Sequence, residues 1–369
     1  MKEIKNSIFI KNTTPKKNLL LGYLLKQNTK KVKSKKGNKS IKKSFSPRVN
    51  KLLVSYTRKK PKNFFICSKD FLNINIGTEK NKKCVNYKSK EAQEFLLNNL
   101  KSIKKINCKD VIPPRQILSN CWFNTFFVTF FISDKGRKFF KFFRQLMILG
   151  KTVNGKTIKK ELREAFFILN IAIESSYNPS LKNIALTFNT NLLIKKIYDN
   201  INKNHKFDDH IPNIDQPGNP IDYYLTIINY LNANNVNILP LTLTTNSKNS
   251  TIEKLINDRK IKNKPDIIIL EIADYSSRFI DDKSQELNIF GVKYKLDAAI
   301  IRDTNQQHFC SLLTCNKKQF AFDGASFNKF SSMNWKEIIN KNIIWRFEGH
   351  NLTWNFRLSY QILFYYREN

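Results

Sequence analysis

Acidic residues are scarce in this sequence. There are 29 Asp and Glu against 65 Lys and Arg, which leaves a formal net charge of +36 over 369 residues. An imbalance of this size predicts attraction to nucleic acid, acidic proteins or anionic membrane surfaces, and it says nothing about the fold. Hydrophobic residues still make up 41% of the chain. We therefore expect most of it to fold around a substantial core.

Cysteine is also rare, with six copies at positions 67, 84, 108, 121, 310 and 315. No two of them have the C-x-x-C spacing of a structural zinc site, and no regular disulfide framework is visible, so we expect a reducing compartment. The sequence lacks a secretory signal. Its longest apolar run, residues 121–132, is too short to span a bilayer. These absences predict a soluble intracellular protein with no membrane partner.

Residues 1–63 contain 20 Lys and Arg against a single acid, Glu3. No helical or alternating pattern there lasts long enough to build a core, so we predict a basic, mostly disordered arm. The arm could bind nucleic acid through its phosphates or direct nuclear import. It could equally be a solvated tail whose charge reflects codon usage.

Hydrophobic spacing divides residues 64–369 into a helical half and a half of short β-type runs. Helices are predicted over 90–106, 121–132, 138–147, 156–177, 189–202 and 221–231. Strands are predicted over 236–243, 266–272, 288–294, 298–302, 309–313, 320–322 and 360–366. This order predicts an α+β fold with an N-terminal helical lobe and a C-terminal antiparallel sheet.

A lone cysteine lies where a polar loop meets the most apolar of these helices, in the run Gln116-Ile-Leu-Ser-Asn-Cys121-Trp-Phe-Asn-Thr. In the first turn of a helix, free amide N–H groups and the positive end of the dipole favour a thiolate, which is the nucleophilic form of cysteine. The alternative is a buried structural cysteine, which this window by itself favours.

A candidate base lies far along the chain from Cys121. Residues 309–322 are predicted to form a hairpin with its turn near 316–318. Such a hairpin brings Asp323 close to His308, because cross-strand neighbours lie about 5–8 Å apart. A carboxylate there can orient an imidazole and stabilise its cation, which completes a set of nucleophile, base and orienting group. A strand histidine satisfied by its neighbours is the alternative.

Six motifs, in the same chain order, resemble the ubiquitin-specific proteases, a branch of the papain-like cysteine peptidases. In this sequence they are Cys121-Trp-Phe-Asn-Thr, Lys264-Pro-Asp-Ile-Ile-Ile-Leu with Arg278-Phe279, Tyr294-Lys-Leu-Asp-Ala-Ala-Ile-Ile, Gln307-His308-Phe309, Phe322-Asp323 and Ser359-Tyr-Gln-Ile-Leu-Phe-Tyr-Tyr-Arg. The family has Cys-Tyr-x-Asn-Ser, Gly-His-Tyr and a closing Ala-Tyr-x-Leu-Phe-Tyr-x-Arg at three of these places. The resemblance spans roughly 105–369, with the middle unmatched.

The resemblance implies a papain-like fold and a deubiquitinating cysteine peptidase. The enzyme would cleave after the C-terminal glycine of ubiquitin or a ubiquitin-like protein, with a catalytic triad of Cys121, His308 and Asp323. Residues 64–369 would form the catalytic domain. Residues 151–235 would be a helical insertion in place of the family's zinc-held fingers. No metal or other cofactor is implied.

Two oxyanion donors are implied in the same way. Gln116 stands where the family has an oxyanion-binding Asn, five residues before the cysteine, and its side chain offers the same amide. Asn120, next to the cysteine, is the second candidate. The family has glycine at the positions of Leu118 and Gln307. Leucine adopts the left-handed backbone conformation that glycine allows only at a cost.

Other readings of these motifs remain. The cysteine motif of the ovarian-tumour deubiquitinases partly matches Ser119-Asn-Cys-Trp-Phe123, but those enzymes lack the later motifs. A protein of a different class, a catalytically degenerate scaffold or virion protein, would use residues 1–63 to bind nucleic acid. Composition and divergent motifs together suggest a large DNA virus as the source. The expected location is then the host cytoplasm or nucleus, or a virion, rather than the exterior.

Overall fold

A computed structural model describes residues 62, 64–67, 71–78, 80–102, 106–201, 218–232, 236–245, 250–258, 264–289, 291–303, 305, 308–326, 329–346 and 351–368. The predicted basic arm, residues 1–63, lies outside the described residues except for Lys62. Gln307 also lies outside them.

The first half of the described chain is mainly helical. Its helices are α1 (Lys90–Ser102), α2 (Cys121–Phe131), α3 (Asp134–Leu149), α4 (Lys160–Tyr177), α5 (Lys182–Thr187), α6 (Thr190–Asn200) and α7 (Pro220–Asn232). Three short helices follow later, α8 (Ile252–Asn257), α9 (Asp274–Ser277) and α10 (Trp335–Ile338). Each of the six predicted helices is confirmed, with ends that differ by a few residues. No helix in the described part is long and apolar enough to cross a membrane.

Strands form a small sheet near the beginning of the described chain and most of its second half. A small N-terminal sheet contains β1 (Phe65–Ile66), β2 (Asn73–Asn75) and β3 (Cys84–Asn86). The later strands are β4 (Ile238–Leu243), β5 (Ser250–Thr251), β6 (Ile267–Ile272), β7 (Ile280–Asp282), β8 (Glu286–Ile289), β9 (Val292–Arg302), β10 (Phe309–Cys315), β11 (Lys318–Phe322), β12 (Ser331–Ser332), β13 (Ile344–Arg346), β14 (Thr353–Asn355) and β15 (Gln361–Arg367). The chain thus adopts the predicted α+β fold.

The main sheet has the strand order β12-β11-β10-β9-β15-β6-β4, with β8 paired to β9. All of its pairings are antiparallel except that of β4 with β6. The prediction of one strand over 288–294 is wrong. The chain reverses there at Gly291, whose φ of 65° suits a tight turn, and the prediction joined the end of β8 to the start of β9.

Both faces of the main sheet are buried, as the alternation along β6 shows. Ile267 and Ile269 contact the core beneath the helices, while Ile268, Leu270 and Ile272 contact a second core on the opposite face. Helix α2 fills the first core, and all eleven of its residues are buried. A helix that is apolar all round suits only such an interior position. The helical lobe therefore packs directly on the sheet.

Four of the six cysteines form two disulfides, Cys67–Cys84 and Cys108–Cys315. The sequence shows no disulfide framework because the paired cysteines lie 17 and 207 residues apart and no local spacing reveals the pairs. The reducing compartment stays a prediction, but the spacing of the cysteines no longer supports it. The second disulfide joins the segment before α2 to the end of β10.

The turn between β10 and β11 is fixed to the helical lobe. Asn316 and Lys317 have φ values of 50° and 62°, as a two-residue type I′ hairpin turn requires. Their N–H groups donate to the Asp134 carboxylate at the start of α3, each over 2.8 Å. Asp134 thereby fastens the far end of the β10–β11 hairpin to α3.

Replacing Asp134 with alanine should lower the free energy of unfolding by about 1–2 kcal/mol, because two N–H groups lose a charged acceptor. Urea denaturation measures the change. The matched control is Asp199→Ala, which removes the exposed Lys195–Asp199 pair within α6 and should cost less than about 0.5 kcal/mol. Equal losses in the two variants would contradict the role given to Asp134.

Candidate active site

Cys121 is the first residue of α2, and Asn120 occupies the N-cap position without a capping bond from its side chain. Cys121 is 8% exposed, so the thiol is nearly enclosed but reachable. Backbone N–H groups in the first turn of a helix have no intrahelical acceptor and carry the positive end of the helix dipole. The local sequence therefore places the thiol where negative charge is stabilised.

His308 precedes β10 directly, and Asp323 follows β11 directly. The hairpin pairs Ser311 with Phe322, which brings the two side chains to the same end. His308 Nε2 lies 2.5 Å from Asp323 Oδ1. The Cys121 thiol lies close enough to the ring to raise its pKa through hydrogen bonding and charge. The structure thus brings the three residues of the predicted triad together.

The surroundings of His308 favour its protonated form. Burial by itself lowers the pKa of His308, but hydrogen bonds and charge interactions with Asp323 and Cys121 outweigh burial and raise the pKa to about 10. Burial raises the pKa of Asp323, but the hydrogen bond and charge of His308 together with hydrogen bonds from Ser326 and Ala325 outweigh burial and leave the pKa of the carboxyl below its usual range. An imidazolium paired with a carboxylate is therefore the state at neutral pH.

Further contacts hold the Asp323 carboxylate in place. Ser326 Oγ donates to Asp323 Oδ2 over 2.5 Å, and the Ala325 N–H donates to Oδ1 over 3.2 Å. Asp323 itself is fully buried. Ser326 was not predicted from the sequence. The contact from Ala325 is of a common kind, since an aspartate in a turn often accepts from the N–H two residues on.

The backbone of His308 is held by residues from two other segments. Its carbonyl accepts from the Asp303 N–H over 2.6 Å and from Trp354 Nε1 over 3.3 Å. The Asp303 carboxylate in turn accepts from the Thr353 N–H over 2.5 Å. No motif in the sequence pointed to Asp303 or Trp354, since the bonds from Trp354 to His308 and from Thr353 to Asp303 join segments about 50 residues apart.

Gln116 lies beside the turn that follows Asp323. Its backbone N–H donates to the Gly324 carbonyl over 3.0 Å, and a Cβ on Gly324 would lie only 3.2 Å from that nitrogen. The Gln116 side chain donates one Nε2–H to the Leu118 carbonyl over 3.0 Å. An amide nitrogen carries two hydrogens, so a second N–H remains for a ligand.

Leu118 adopts a backbone conformation that glycine allows most readily. Its φ is 56°, in the left-handed region where leucine is strained. The side chain is 63% exposed, so packing does not explain the choice of residue. The loop between Gln116 and Cys121 thus keeps a left-handed turn despite the leucine.

Asn120 does not point toward the triad. It is 1% exposed, its Oδ1 accepts from the Ile117 N–H over 2.9 Å, and its Nδ2 donates to Thr190 Oγ1 over 2.8 Å. Both ends of the amide therefore make contacts inside the protein. Of the two oxyanion candidates, Gln116 contacts the residue that follows Asp323 through its backbone, whereas Asn120 braces the loop.

No group of three or more His, Cys, Asp or Glu side chains that could hold a metal ion occurs among the described residues. The site itself offers a thiol, an imidazole and amides, which can carry out nucleophilic attack by sulfur and stabilise an oxyanion.

No family model matches the chain, and no curated protein matches it. Among solved structures, it is similar to the SAGA DUB module with Ubp8 bound to monoubiquitin, with 11% identity and a TM-score of 0.44 over 71% of this chain and 70% of that one. It is also similar to the same module bound to ubiquitin aldehyde, with 12% identity and a TM-score of 0.41 over 73% of this chain and 71% of that one. A third similar structure is that of an essential yeast splicing factor, with 12% identity and a TM-score of 0.39 over 81% of this chain and 84% of that one.

The ring of His308 should stay protonated as the pH rises from 6 toward 10, because Asp323 and Cys121 hold its pKa near 10. In Asp323→Asn the carboxylate is lost, so the same ring should release its proton at a lower pH. NMR titration of the four histidine rings measures this directly, and the variant identifies the His308 signal. A wild-type ring that titrates at the ordinary pKa of about 6.5 would contradict this picture.

At Leu118, stability should follow backbone strain rather than side-chain packing. Leu118→Gly should be at least as stable as wild type, while Leu118→Val should be less stable, with about 1 kcal/mol or more between the two variants. The valine is worse because a β-branched side chain tolerates positive φ poorly. Urea unfolding of the three proteins gives the order. A valine variant more stable than the glycine variant would rule out the left-handed turn.

Proposed function

We propose that this protein is a deubiquitinating cysteine peptidase that acts through Cys121, His308 and Asp323. The observation that carries the proposal is the meeting of these three side chains, which come from segments almost 190 residues apart in the chain. A thiol that contacts an imidazole, which is itself oriented by a buried carboxylate, is the arrangement that nucleophilic thiol catalysis requires.

In the proposed reaction, His308 holds the proton that the Cys121 thiol gives up, and the sulfur attacks the carbonyl carbon of the scissile bond. The oxygen of that carbonyl becomes an oxyanion beside the Cys121 backbone N–H and the free N–H of Gln116. His308 then gives its proton to the departing amine, which leaves a thioester on Cys121. Water, deprotonated by His308, hydrolyses the thioester and releases the acid.

The substrate is proposed from the motifs and from access to the thiol. Cys121 is 8% exposed and His308 is 7% exposed, so only a thin segment of chain can reach the sulfur. A glycine-ended peptide has no side chains to obstruct its entry. That requirement fits the C-terminal glycine of ubiquitin or a ubiquitin-like protein, which is the substrate that the resemblance to ubiquitin-specific proteases implies.

A ubiquitin probe with a C-terminal electrophile should form a covalent adduct with the wild-type protein, because the electrophile takes the place of the scissile carbonyl. Cys121→Ala should abolish the adduct. Cys310→Ala is the matched control, since Cys310 is the other free cysteine and is fully buried in β10, and it should keep the adduct. A gel shift and mass spectrometry of the labelled peptide give the readout.

No adduct on a wild-type protein that is folded by circular dichroism would contradict the proposal. The alternative would then be favoured, a scaffold of the same fold that binds nucleic acid through residues 1–63. The 20 basic residues of that segment supply the charge such binding needs.

A further inference from the structure

A buried ring of polar side chains joins helix α6 to the start of helix α2. Thr190 Oγ1 accepts from Asn120 Nδ2 over 2.8 Å and donates to Asn124 Oδ1 over 2.9 Å. Asn124 Nδ2 closes the ring by donating to Asn120 Oδ1 over 3.2 Å. Asn124 and Thr190 are fully buried, and Asn120 is 1% exposed.

Two side chains of the ring, together with Asn191, hold the backbone of the loop that carries Gln116. Asn120 Oδ1 accepts from the Ile117 N–H over 2.9 Å, and Asn191 Nδ2 donates to the Ile117 carbonyl over 3.0 Å. On the other side of Gln116, Asn124 Nδ2 donates to the Arg115 carbonyl over 3.1 Å. The residues on both sides of Gln116 are therefore fixed by hydrogen bonds from buried amides.

A buried polar ring of this kind is stable only when every member finds its partner, and it then has one arrangement. It can therefore hold a loop more rigidly than apolar contacts would. Helix α6 lies in the helical block 151–235, which the motif resemblance leaves unmatched. The ring gives that block a direct connection to the proposed oxyanion loop.

We propose that Thr190 and Asn191 are positioning residues, which hold the Gln116 loop in the geometry that lets Gln116 receive the oxyanion next to Cys121. This inference rests on the proposed peptidase function and adds a role for helix α6 in it. The two side chains act through the loop.

The physical reason is that an oxyanion donor works only when it is already in place as charge develops. One Nε2–H of Gln116 is bonded to the Leu118 carbonyl, so the direction of the other follows the course of the loop. A displacement of about 1 Å can cost about 100-fold in rate. Loss of a single support should cost less, because the other contacts to the loop remain.

The test compares two reactions of Cys121. Hydrolysis of a ubiquitin C-terminal fluorogenic amide needs the oxyanion donor, whereas alkylation by iodoacetamide forms no oxyanion. Thr190→Val keeps the shape of the side chain but removes the hydroxyl from the ring. We expect its kcat to fall about tenfold while KM and the alkylation rate stay at their wild-type values. Thr190→Ser, which keeps the hydroxyl, should recover the lost kcat.

Thr226→Val is the matched control, the same change at a buried threonine in α7 whose hydroxyl donates to the Asp222 carbonyl. It should leave both reactions unchanged. Asn191→Ala, which removes only the bond to the Ile117 carbonyl, serves if Thr190→Val does not fold, and it should show the same split between the two reactions.

Wild-type kcat in both Thr190→Val and Asn191→Ala would overturn the inference and leave the peptidase proposal intact. An equal fall in kcat and alkylation would also overturn it, since the variants would then have disturbed Cys121 itself. A wild-type protein that does not hydrolyse the amide would overturn the peptidase proposal and this inference with it.

Discussion

The packing of helix α2 along strand β10 is the contact on which the candidate site depends. It places a cysteine from the helical lobe against a histidine from the sheet. The Ser311 hydroxyl donates to the Thr125 carbonyl over 3.0 Å, which fixes the strand against the first turns of the helix. Phe126 and Phe130 of α2 meet Phe364 of β15 at ring-centroid distances of 5.2 and 5.5 Å. Because the helix is buried on all sides, it has little freedom to slide.

Two sets of hydrogen bonds then fix the positions of His308 on the sheet and of the loop before Cys121 on the helical lobe. On the sheet side, Ser326 holds the Asp323 carboxylate, and Asp303 and Trp354 hold the carbonyl of His308. On the helical side, the ring through Thr190 holds the loop that leads to Cys121. Buried groups that are fully paired keep one geometry. The site is therefore built from two separately braced halves that meet at the thiol.

Local sequence patterns predicted the elements of this fold better than their partners. The spacing of apolar residues predicted the helices, and the polar turn near 316–318 predicted the hairpin that brings Asp323 to His308. The parallel pairing of β4 with β6, the disulfide between Cys108 and Cys315 and the contact of Thr190 with Asn120 were not predicted. Each of these joins distant segments, and a local period reveals which face of an element is buried without revealing what covers it.

The central claim, that His308 activates Cys121 across the junction of the two lobes, is tested most directly by the rate at which iodoacetamide alkylates Cys121. The account predicts that His308→Ala slows this alkylation by about 100-fold, the scale of a lost general base, while the variant stays folded. Equal alkylation rates in the wild-type and His308→Ala proteins would contradict it.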